Sequence, residues 1–524
     1  MMSLCLYIFV FILVLLLLSS TSSTWGTFMS NWEFLSFMVV VSYSQTLFLA
    51  MLIFVFSIIM PYSEYYMGQD VNYLYYSLMM TVFFMSMVLL LICNSLFLLL
   101  TGWDLLGISS FLLVLYNKNW ESVNSALNTV MSNRIGDFML FLGVLVWVPF
   151  VSMGVGVWSW NGVFMLALFG AASTKSAQFP FSGWLPKAMA APTPTSALVH
   201  SSTLVTAGVL MMMKFVVPMM SSALMVKMVW AGLLTMTIAG MTALIEEDVK
   251  KVVALSTLSQ MGLSMSTLGM GYCWLAYLHL ISHGFFKSLL FLQIGYMMHS
   301  MSSLQDPRMF MALGKGHFYL QVQMKISLLA LCGQMFTSGM ITKEVILNHY
   351  MYGTLSVLMV ILFMVSLMLT FLYSYRLWLS LFKGSSVTVF VTQSSFLVKG
   401  VSCGLVILSA SYMLWLSFNF VIIPPLFVNE GASSTVMLVV IVLGLYSYTK
   451  NYKHSLLSSK FTSDYALLEV CKLLFPVKFV EMLHFSFNSK LFVSLKLSTL
   501  RLNLYMKGAN TTALLFIILL VLFW

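Results

Sequence analysis

Long apolar runs separated by short polar segments dominate the chain. A helix needs about 20 apolar residues to cross the hydrocarbon of a bilayer, and about fifteen runs approach that length. Their apolar residues are continuous and do not alternate at every second position, which excludes a membrane-spanning β-barrel. The pattern therefore predicts an all-α polytopic membrane protein. The predicted spans lie near residues 4–18, 37–60, 72–92, 95–115, 123–150, 162–181, 194–217, 223–245, 252–270, 272–298, 320–348, 353–382, 398–420, 432–448 and 509–524.

The stretch 449–507 departs from this pattern. It is too polar to cross a bilayer and too long for an ordinary loop. Its aromatic and aliphatic residues alternate with lysines at roughly helical spacing, which is typical of an amphipathic helix lying at the membrane interface. Pro476 would break or kink such a lateral helix. A basic linker resting on anionic lipid is the alternative interpretation.

Two spans share features of an internal repeat. Lys175 lies near a glycine and a proline in the sixth span, and Lys343 lies near two glycines in the eleventh. An offset of five spans places the two copies in opposite topology, as in transporters built from inverted repeats with broken helices. We therefore predict two inverted five-helix repeats, 72–217 and 223–382. The flanking segments are predicted as N-terminal transmembrane helices (1–71), C-terminal transmembrane helices (398–448), the lateral helix (449–507) and a terminal anchoring helix (509–524).

Composition agrees with a lipid environment and charge gives the orientation. The chain is 60% hydrophobic and 8% charged, whereas soluble domains are about 45–50% apolar and about 25% charged. The net charge is +10, and nine of the 25 basic residues lie between Lys450 and Lys507. Eight of the other 16 basic residues fall in every second loop, on the side of the N-terminus, and the opposite loops hold almost none. The positive-inside rule then places the N-terminus and the lateral helix in the inner compartment, with Trp524 on the far side.

Several kinds of site are not expected. No Lys or Arg precedes Lys118, so the first apolar run is interpreted as a retained span and not as a cleaved leader. The six cysteines are far apart and form no cluster with histidine, and no glycine-rich nucleotide motif occurs. We therefore predict no cofactor or metal site in this chain. Nucleic acid is not an expected partner, because the basic stretch is interleaved with apolar runs.

Ionisable residues inside the spans are the candidates for function. An Asp, Lys or Arg at the centre of a membrane helix costs about 2.5–3.5 kcal/mol on insertion scales. His279, His283 and Lys287 recur every fourth residue and so form one stripe of a helix, although a hydrogen-bonded structural histidine is the alternative for each. Lys214 and Lys227 lie near span ends, where their amines can extend to the interface. The candidate site residues are Asp104, Asp137, Lys175, His200, His279, His283, Lys287, Lys343 and Glu344.

These residue types suit proton transfer. A lysine in a low dielectric loses part of its preference for the charged form, and a nearby carboxylate restores it. A lysine that alternates between paired and unpaired states can therefore take up and release one proton per cycle, and histidine can transfer protons between such sites. Asp104 with Lys175, and Lys343 with Glu344, supply these pairs. Sodium is the alternative cargo, but the excess of lysine and histidine over carboxylates favours protons.

Several motifs resemble those of the antiporter-like membrane subunits of respiratory complex I, in the order of that family. They cover roughly residues 95–350 and are specific. The lateral helix followed by one last span is typical of one member of the family. The matching runs are Asn133–Asp137, Ser176–Gln178, Gly183–Pro186, Pro192–Ser202, Lys250–Thr257 and His283–Lys287.

The resemblance implies a role for each candidate. Lys175 is similar to the pumping lysine of the first broken helix, Asp137 to the acid near it, and His200 to the residue that links it to the centre. The stripe on the helix 272–298 is similar to the central relay, and Lys343 to the distal lysine that exchanges protons with the far side. Asp104 occupies the position of the family's usual glutamate in Gly-Trp-Glu and is one methylene shorter, which shortens its reach to Lys175.

The resemblance also implies a setting. It implies a proton-translocating subunit of the mitochondrial inner membrane, with the N-terminus and lateral helix on the matrix side and the C-terminus toward the intermembrane space. NADH, FMN, iron–sulfur clusters and ubiquinone would be bound by other subunits. The expected partners are membrane-arm subunits, especially the neighbouring antiporter-like chains 4 and 2, and inner-membrane lipids such as cardiolipin. The alternatives are a stand-alone cation/proton antiporter and a structural end-piece that braces its neighbours.

Overall fold

The structure is a computed structural model that describes residues 24–28, 37–40, 43–93, 96–152, 162–215, 224–300, 305, 318–334, 337–352, 356–382 and 402–412. The chain divides into two compact units, Met1–Lys450 and Asn451–Trp524, and all described residues belong to the first. The predicted spans 4–18, 432–448 and 509–524 lie outside the described residues. The same holds for the predicted lateral helix 449–507 and for most of the segment 398–448.

Helices make up most of the described part of the chain. They agree with the predicted spans to within several residues at most ends. In chain order they are α1 (Tyr43–Met67), α2 (Tyr73–Ile92), α3 (Leu96–Val114), α4 (Trp120–Ser152), α5 (Gly162–Lys175), α6 (Trp184–Lys187), α7 (Thr193–Leu198), α8 (Leu204–Lys214), α9 (Leu224–Ile245), α10 (Val249–Gly269), α11 (Cys273–Ser300), α12 (Phe318–Cys332), α13 (Ser338–Tyr352), α14 (Val357–Phe382) and α15 (Ser402–Tyr412).

Short irregular turns join some of these helices. A π-helical turn, Val199–Thr203, connects α7 to α8, and three 3₁₀ turns occur at Leu115–Asn117, Phe181–Gly183 and Ala188–Ala190. Within the described residues, seven helical stretches are long and apolar enough to cross a membrane. They are Ser44–Met67, Tyr73–Ile92, Leu98–Asn117, Thr193–Lys214, Leu224–Ile245, Cys273–Ser300 and Val357–Phe382.

A short hairpin precedes the first described helix. Strand β1 (Thr24–Phe28) pairs antiparallel with β2 (Phe37–Val40). Both strands consist largely of β-branched and aromatic residues, which favour extended backbone. Strand β2 occupies the start of the predicted span 37–60, so this span begins at Tyr43 instead of residue 37. The remaining described elements are helical.

The sixth predicted span breaks at its lysine. Helix α5 ends at Lys175, and Ala177 adopts a left-handed conformation with φ of 53°. The amide of Gln178 then donates to the oxygen of Ser173 over 2.9 Å. This backbone arrangement is a Schellman motif, which ends a helix. Helix α5 therefore ends inside the predicted span 162–181, where the sequence predicts a broken helix.

The eleventh predicted span breaks in the same way. Helix α12 ends at Cys332, Gly333 has φ of 75°, and the amide of Gln334 donates to the oxygen of Leu329 over 2.9 Å. A second helix, α13, follows. The predicted span 320–348 is thus two helices, and the two breaks occur in the two spans for which the sequence predicts broken helices.

Helix α11 lies at the centre of the described bundle. It contacts α1, α7, α10, α12, α13 and the π turn, and every residue from Ala276 to Met298 is buried. The apolar windows of Thr193–Lys214 and Cys273–Ser300 are each 94% buried, against 44% for Tyr73–Ile92. A helix that is buried on all sides belongs to the core. Polar side chains on these two spans are therefore shielded from lipid.

Candidate proton-transfer site

Lys175 is enclosed at the first helix break. Its side chain has 0% exposure. Its Nζ donates to the backbone oxygen of Trp103 on α3 over 2.5 Å and lies 3.9 Å from the centroid of the Trp103 ring. A carbonyl oxygen and an aromatic face both stabilise an ammonium group. The end of α5 and one residue of α3 thus form a pocket for a buried cation.

Asp137 is the carboxylate tied to this pocket. The indole Nε1 of Trp103 donates to Asp137 Oδ1 over 2.9 Å, and Arg134 donates to Asp137 Oδ2 over 3.2 Å. The Arg134 side chain is 57% exposed, whereas that of Asp137 is 9% exposed, so the pair reaches from the surface into the protein. Trp103 therefore contacts both Lys175 and Asp137.

Asp104 does not pair with Lys175. It is half-buried and within electrostatic range of the amine, but within the described residues the two form no hydrogen bond or ion pair. Successive residues of a helix point about 100° apart, and it is Trp103 whose carbonyl and ring contact the amine. The expectation of a direct pair between Asp104 and Lys175 is therefore wrong in this structure.

His200 lies in the π turn between α7 and α8. It is buried, and its ring centroid is 6.2 Å from that of Trp184. Trp184 Nε1 donates to the oxygen of Thr174, the residue before Lys175, over 2.9 Å. The Nδ1 of His200 has no hydrogen-bond partner among the described residues. Trp184 thus lies between the lysine pocket and a ring nitrogen that is available for proton exchange.

The three ionisable residues of α11 are fully buried, as their spacing predicts. His279 Nδ1 is 3.1 Å from Thr342 Oγ1 on α13, and Lys287 Nζ donates to the Ser256 hydroxyl on α10. Both ring nitrogens of His283 are buried, and the backbone of Ser201 in the π turn lies within interaction range of the ring. Electrostatic neighbours of His283 include His279, Lys287 and Lys343. The stripe therefore links α10 to the second broken helix.

Lys343 is enclosed at the second helix break. It has 0% exposure, and its Nζ donates to the backbone oxygen of Leu331 over 2.5 Å. The last carbonyl groups of a helix lack partners within the helix, so the end of α12 offers an acceptor to this amine. Glu344 is half-buried and follows Lys343 on α13. The thiol of Cys332 lies within electrostatic range of Lys343 and contacts the Ser374 hydroxyl at 2.9 Å.

The structure brings most of the candidate residues into one buried region. Helix α11 packs against the π turn that holds His200 and against the helix that holds Lys343. Lys175 and Asp137 form one end of this region, and Lys343 forms the other. Asp104 and Glu344 are half-buried beside it.

Sequence reasoning missed several polar partners. Trp103, Trp184, Ser256 and Thr342 each hydrogen-bond within this region. All four lie inside or next to the matching motifs. They are uncharged, so the search for ionisable residues inside the spans does not select them. A tryptophan beside a buried acid was the available signal for Trp103.

Two lysines differ from their expected positions. The predicted span 252–270 leaves Lys250 in a loop, but Lys250 belongs to α10, is buried and donates to the Ala191 oxygen. Lys214, expected to extend to the interface, donates to the oxygens of Leu90, Leu91 and Cys93 over 2.8, 3.0 and 2.7 Å. Its ammonium therefore caps the C-terminal end of α2, where helix carbonyls attract cations.

Comparison with known proteins gives first the class. Residues 93–370 match the family model described as NADH:quinone oxidoreductase/Mrp antiporter, transmembrane. The fold is similar to a chain of the Mrp complex from Dietzia sp., with a TM-score of 0.80 at 20% identity, over 99% of this chain and 59% of that one. The matched region and the fold are thus those of an antiporter-like membrane subunit.

Two relatives narrow the class. The chain is 42% identical to NADH-ubiquinone oxidoreductase chain 5 of Ascaris suum, over 79% of this chain and 76% of the relative. It is 38% identical to the protein of the same name from Caenorhabditis elegans, over 93% and 92%. The chain belongs to the NADH-ubiquinone oxidoreductase chain 5 family.

Proposed function

We propose that this chain is a proton-translocating membrane subunit of respiratory complex I, the NADH-ubiquinone oxidoreductase, in the mitochondrial inner membrane. The observation that carries the proposal is the buried region between the two helix breaks, in which lysines and histidines meet hydroxyl groups, carbonyl groups and one carboxylate. The name of its relatives and the matched family support the same function.

The residues would divide the transfer as follows. Lys175 accepts and releases a proton near Asp137, with Asp104 as a second charge in range. His200 and the stripe His279, His283 and Lys287 transfer protons across the centre, because a neutral imidazole can accept a proton at one ring nitrogen and donate one from the other. Lys343, with Glu344 beside it, exchanges protons with the far side.

The setting follows from the family and the charge pattern. NADH, FMN, iron–sulfur clusters and ubiquinone are bound by other subunits. Chains 4 and 2 are its neighbours in the membrane arm, and inner-membrane lipids such as cardiolipin surround the chain. The N-terminus and lateral helix face the matrix, and the repeats 72–217 and 223–382 are inverted. The two breaks that end in left-handed residues support the repeat.

A stand-alone cation/proton antiporter is the second candidate. The likeness in fold to a chain of an Mrp complex is the observation that favours it. That function predicts sodium–proton exchange by the purified chain alone in liposomes. A subunit of complex I shows proton movement only in the assembled complex, driven by NADH oxidation.

The test replaces Lys343 by Met, which preserves the length and apolar stem of the side chain and removes the amine. We expect proton translocation to fall at least tenfold, which corresponds to about 1.4 kcal/mol or more. NADH–ubiquinone turnover falls with it because the two are coupled, and the complex still assembles on native gels. The matched control is Lys227→Met, because Lys227 is an exposed lysine on α9. Unchanged pumping in the Lys343 variant would leave only the bracing function.

A further inference from the structure

A cavity of about 270 Å³ lies between α12 and α14, outside the buried line of lysines and histidines. Leu328, Leu329 and Phe371 form apolar walls, Lys325 and Trp378 stand at one end, and Cys332 stands at the other. Lys325 precedes Cys332 by two helical turns, so the groove runs roughly 10 Å along α12. The proton-transfer site does not use this groove.

Lys325 is an exposed cation on an apolar helix. Its Nζ lies 4.9 Å from the centroid of the Trp378 ring. The ion pairs found among the described residues are Arg134–Asp137 and Lys251–Asp248, so no described carboxylate neutralises Lys325. Val322, one turn earlier, is also exposed. Lysine and tryptophan side by side on an apolar surface are typical of the level at which lipid headgroups meet the hydrocarbon.

The groove therefore offers a charge at one end and apolar walls behind it. Most of the accessible surface of the groove is apolar, although Gln334, Ser374 and Tyr375 also line it. Water, which needs two to four polar partners, therefore finds few of them along the apolar walls. A hydrocarbon chain suits those walls, and a phosphate group complements the ammonium of Lys325. We propose that this groove binds an anionic phospholipid, with its phosphate at Lys325 and one acyl chain between α12 and α14 toward Cys332.

The inner end of the groove adjoins the second helix break. Cys332 follows Leu331, whose carbonyl oxygen accepts the hydrogen bond from Lys343. Ser374 on α14 lines the groove and contacts the Cys332 thiol. An acyl chain in this position excludes water from the break on that side. This consequence for Lys343 rests on the proposed function, whereas the lipid site itself does not.

The experiment uses the assembled complex in vesicles that contain a photoreactive phosphatidylglycerol, with the reactive group near the end of one acyl chain. A phosphatidylcholine that carries the same group is the comparison. Crosslinked peptides are identified by mass spectrometry. We expect phosphatidylglycerol to label segments 328–334 and 371–378 at least fivefold more than phosphatidylcholine does.

Two variants distinguish the contribution of the Lys325 charge from that of the apolar volume of the groove. Lys325→Glu reverses the charge at the headgroup end and should lower the labelling about tenfold. Leu328→Trp fills the groove without a change in charge and should lower it to a similar degree, which keeps the test intact if the first variant fails to assemble. Lys227→Glu, which reverses an exposed lysine elsewhere, should leave the labelling unchanged.

Three results would overturn the proposal. One is equal labelling by the two lipids, and another is labelling that survives both groove variants. The third is alkylation of Cys332 by a charged, water-soluble thiol reagent at the rate of the exposed Cys403, which would identify the groove as a water-filled path. Crosslinking does not depend on pumping, so failure of the lipid site and failure of the proposed function are distinguishable.

Discussion

The two helix breaks resemble each other in backbone and differ in the charges around their lysines. Both end in a Schellman motif, and both lysines are fully buried and donate to a carbonyl oxygen over 2.5 Å. Lys175, however, has Asp137 and Asp104 within electrostatic range, whereas the neighbour of Lys343 is the thiol of Cys332. Removal of a carboxylate can therefore disturb the first site, whereas displacement of the backbone carbonyl is expected to disturb the second.

The largest effect is expected at the first site. Asp137→Asn preserves the size of the side chain and removes the negative charge that partly balances Lys175. Its single amide oxygen can accept from only one of Trp103 and Arg134. The buried ammonium then lacks compensation, and an uncompensated charge in a protein interior is costly. We expect NADH-driven proton translocation into vesicles to fall tenfold or more, with the complex assembled.

Asp70→Asn is the control for this variant. Asp70 is an exposed carboxylate that accepts a long hydrogen bond from Tyr116, at 3.4 Å. Equal losses from the two variants would mean that any carboxylate matters for assembly. Full activity of the Asp137 variant would mean that Asp104, and not Asp137, balances the charge of Lys175.

The second site should respond to a change in its backbone. Gly333→Ala places a Cβ 3.1 Å from Lys343 Cδ and 3.2 Å from the oxygen of Gly339. Alanine also disfavours the left-handed conformation by roughly 1–2 kcal/mol. Both effects displace the break that positions the Leu331 carbonyl, so we expect turnover of the assembled complex to fall several-fold.

The matched variant at the first break is Ala177→Gly. Ala177 already has φ of 53°, a conformation that glycine adopts without strain. This variant should leave turnover unchanged and stability equal or higher by up to about 1 kcal/mol. A loss of turnover in both variants would show that flexibility at a break, and not the position of the carbonyl, limits transfer.

The sequence predicted the helices and the two breaks because apolar length and lysine-with-glycine spacing are local signals. It also predicted the stripe on α11, since every fourth residue of a helix lies on one face. It did not predict that Trp103 would contact both Lys175 and Asp137, because that contact depends on how α3, α4 and α5 pack. It placed Lys250 in a loop because a charge beside a span end does not reveal whether a carbonyl lies within its reach.

The smallest effects are expected at the contacts between the first and the last helix of each predicted repeat. Lys214 at the end of α8 donates to carbonyls at the end of α2, and Arg376 on α14 donates to the oxygens of Ala243 and Glu246 at the end of α9. In the predicted repeats these are the last and first helices of each half. Lys214→Met and Arg376→Met should each lower stability by about 1–2 kcal/mol, the range for a partly buried cation at a helix C-terminus.

Stability is read as the temperature at which the complex loses activity, with Lys227→Met as the control, while turnover at low temperature should stay unchanged. Similar losses are expected because each cation contacts several carbonyl oxygens at its helix end. The double variant should lose the sum of the two, since independent sites contribute additively. A loss of stability larger than the sum would instead mean that separation of the end helices in one predicted repeat destabilises the other repeat. The two breaks would then be coupled through α11.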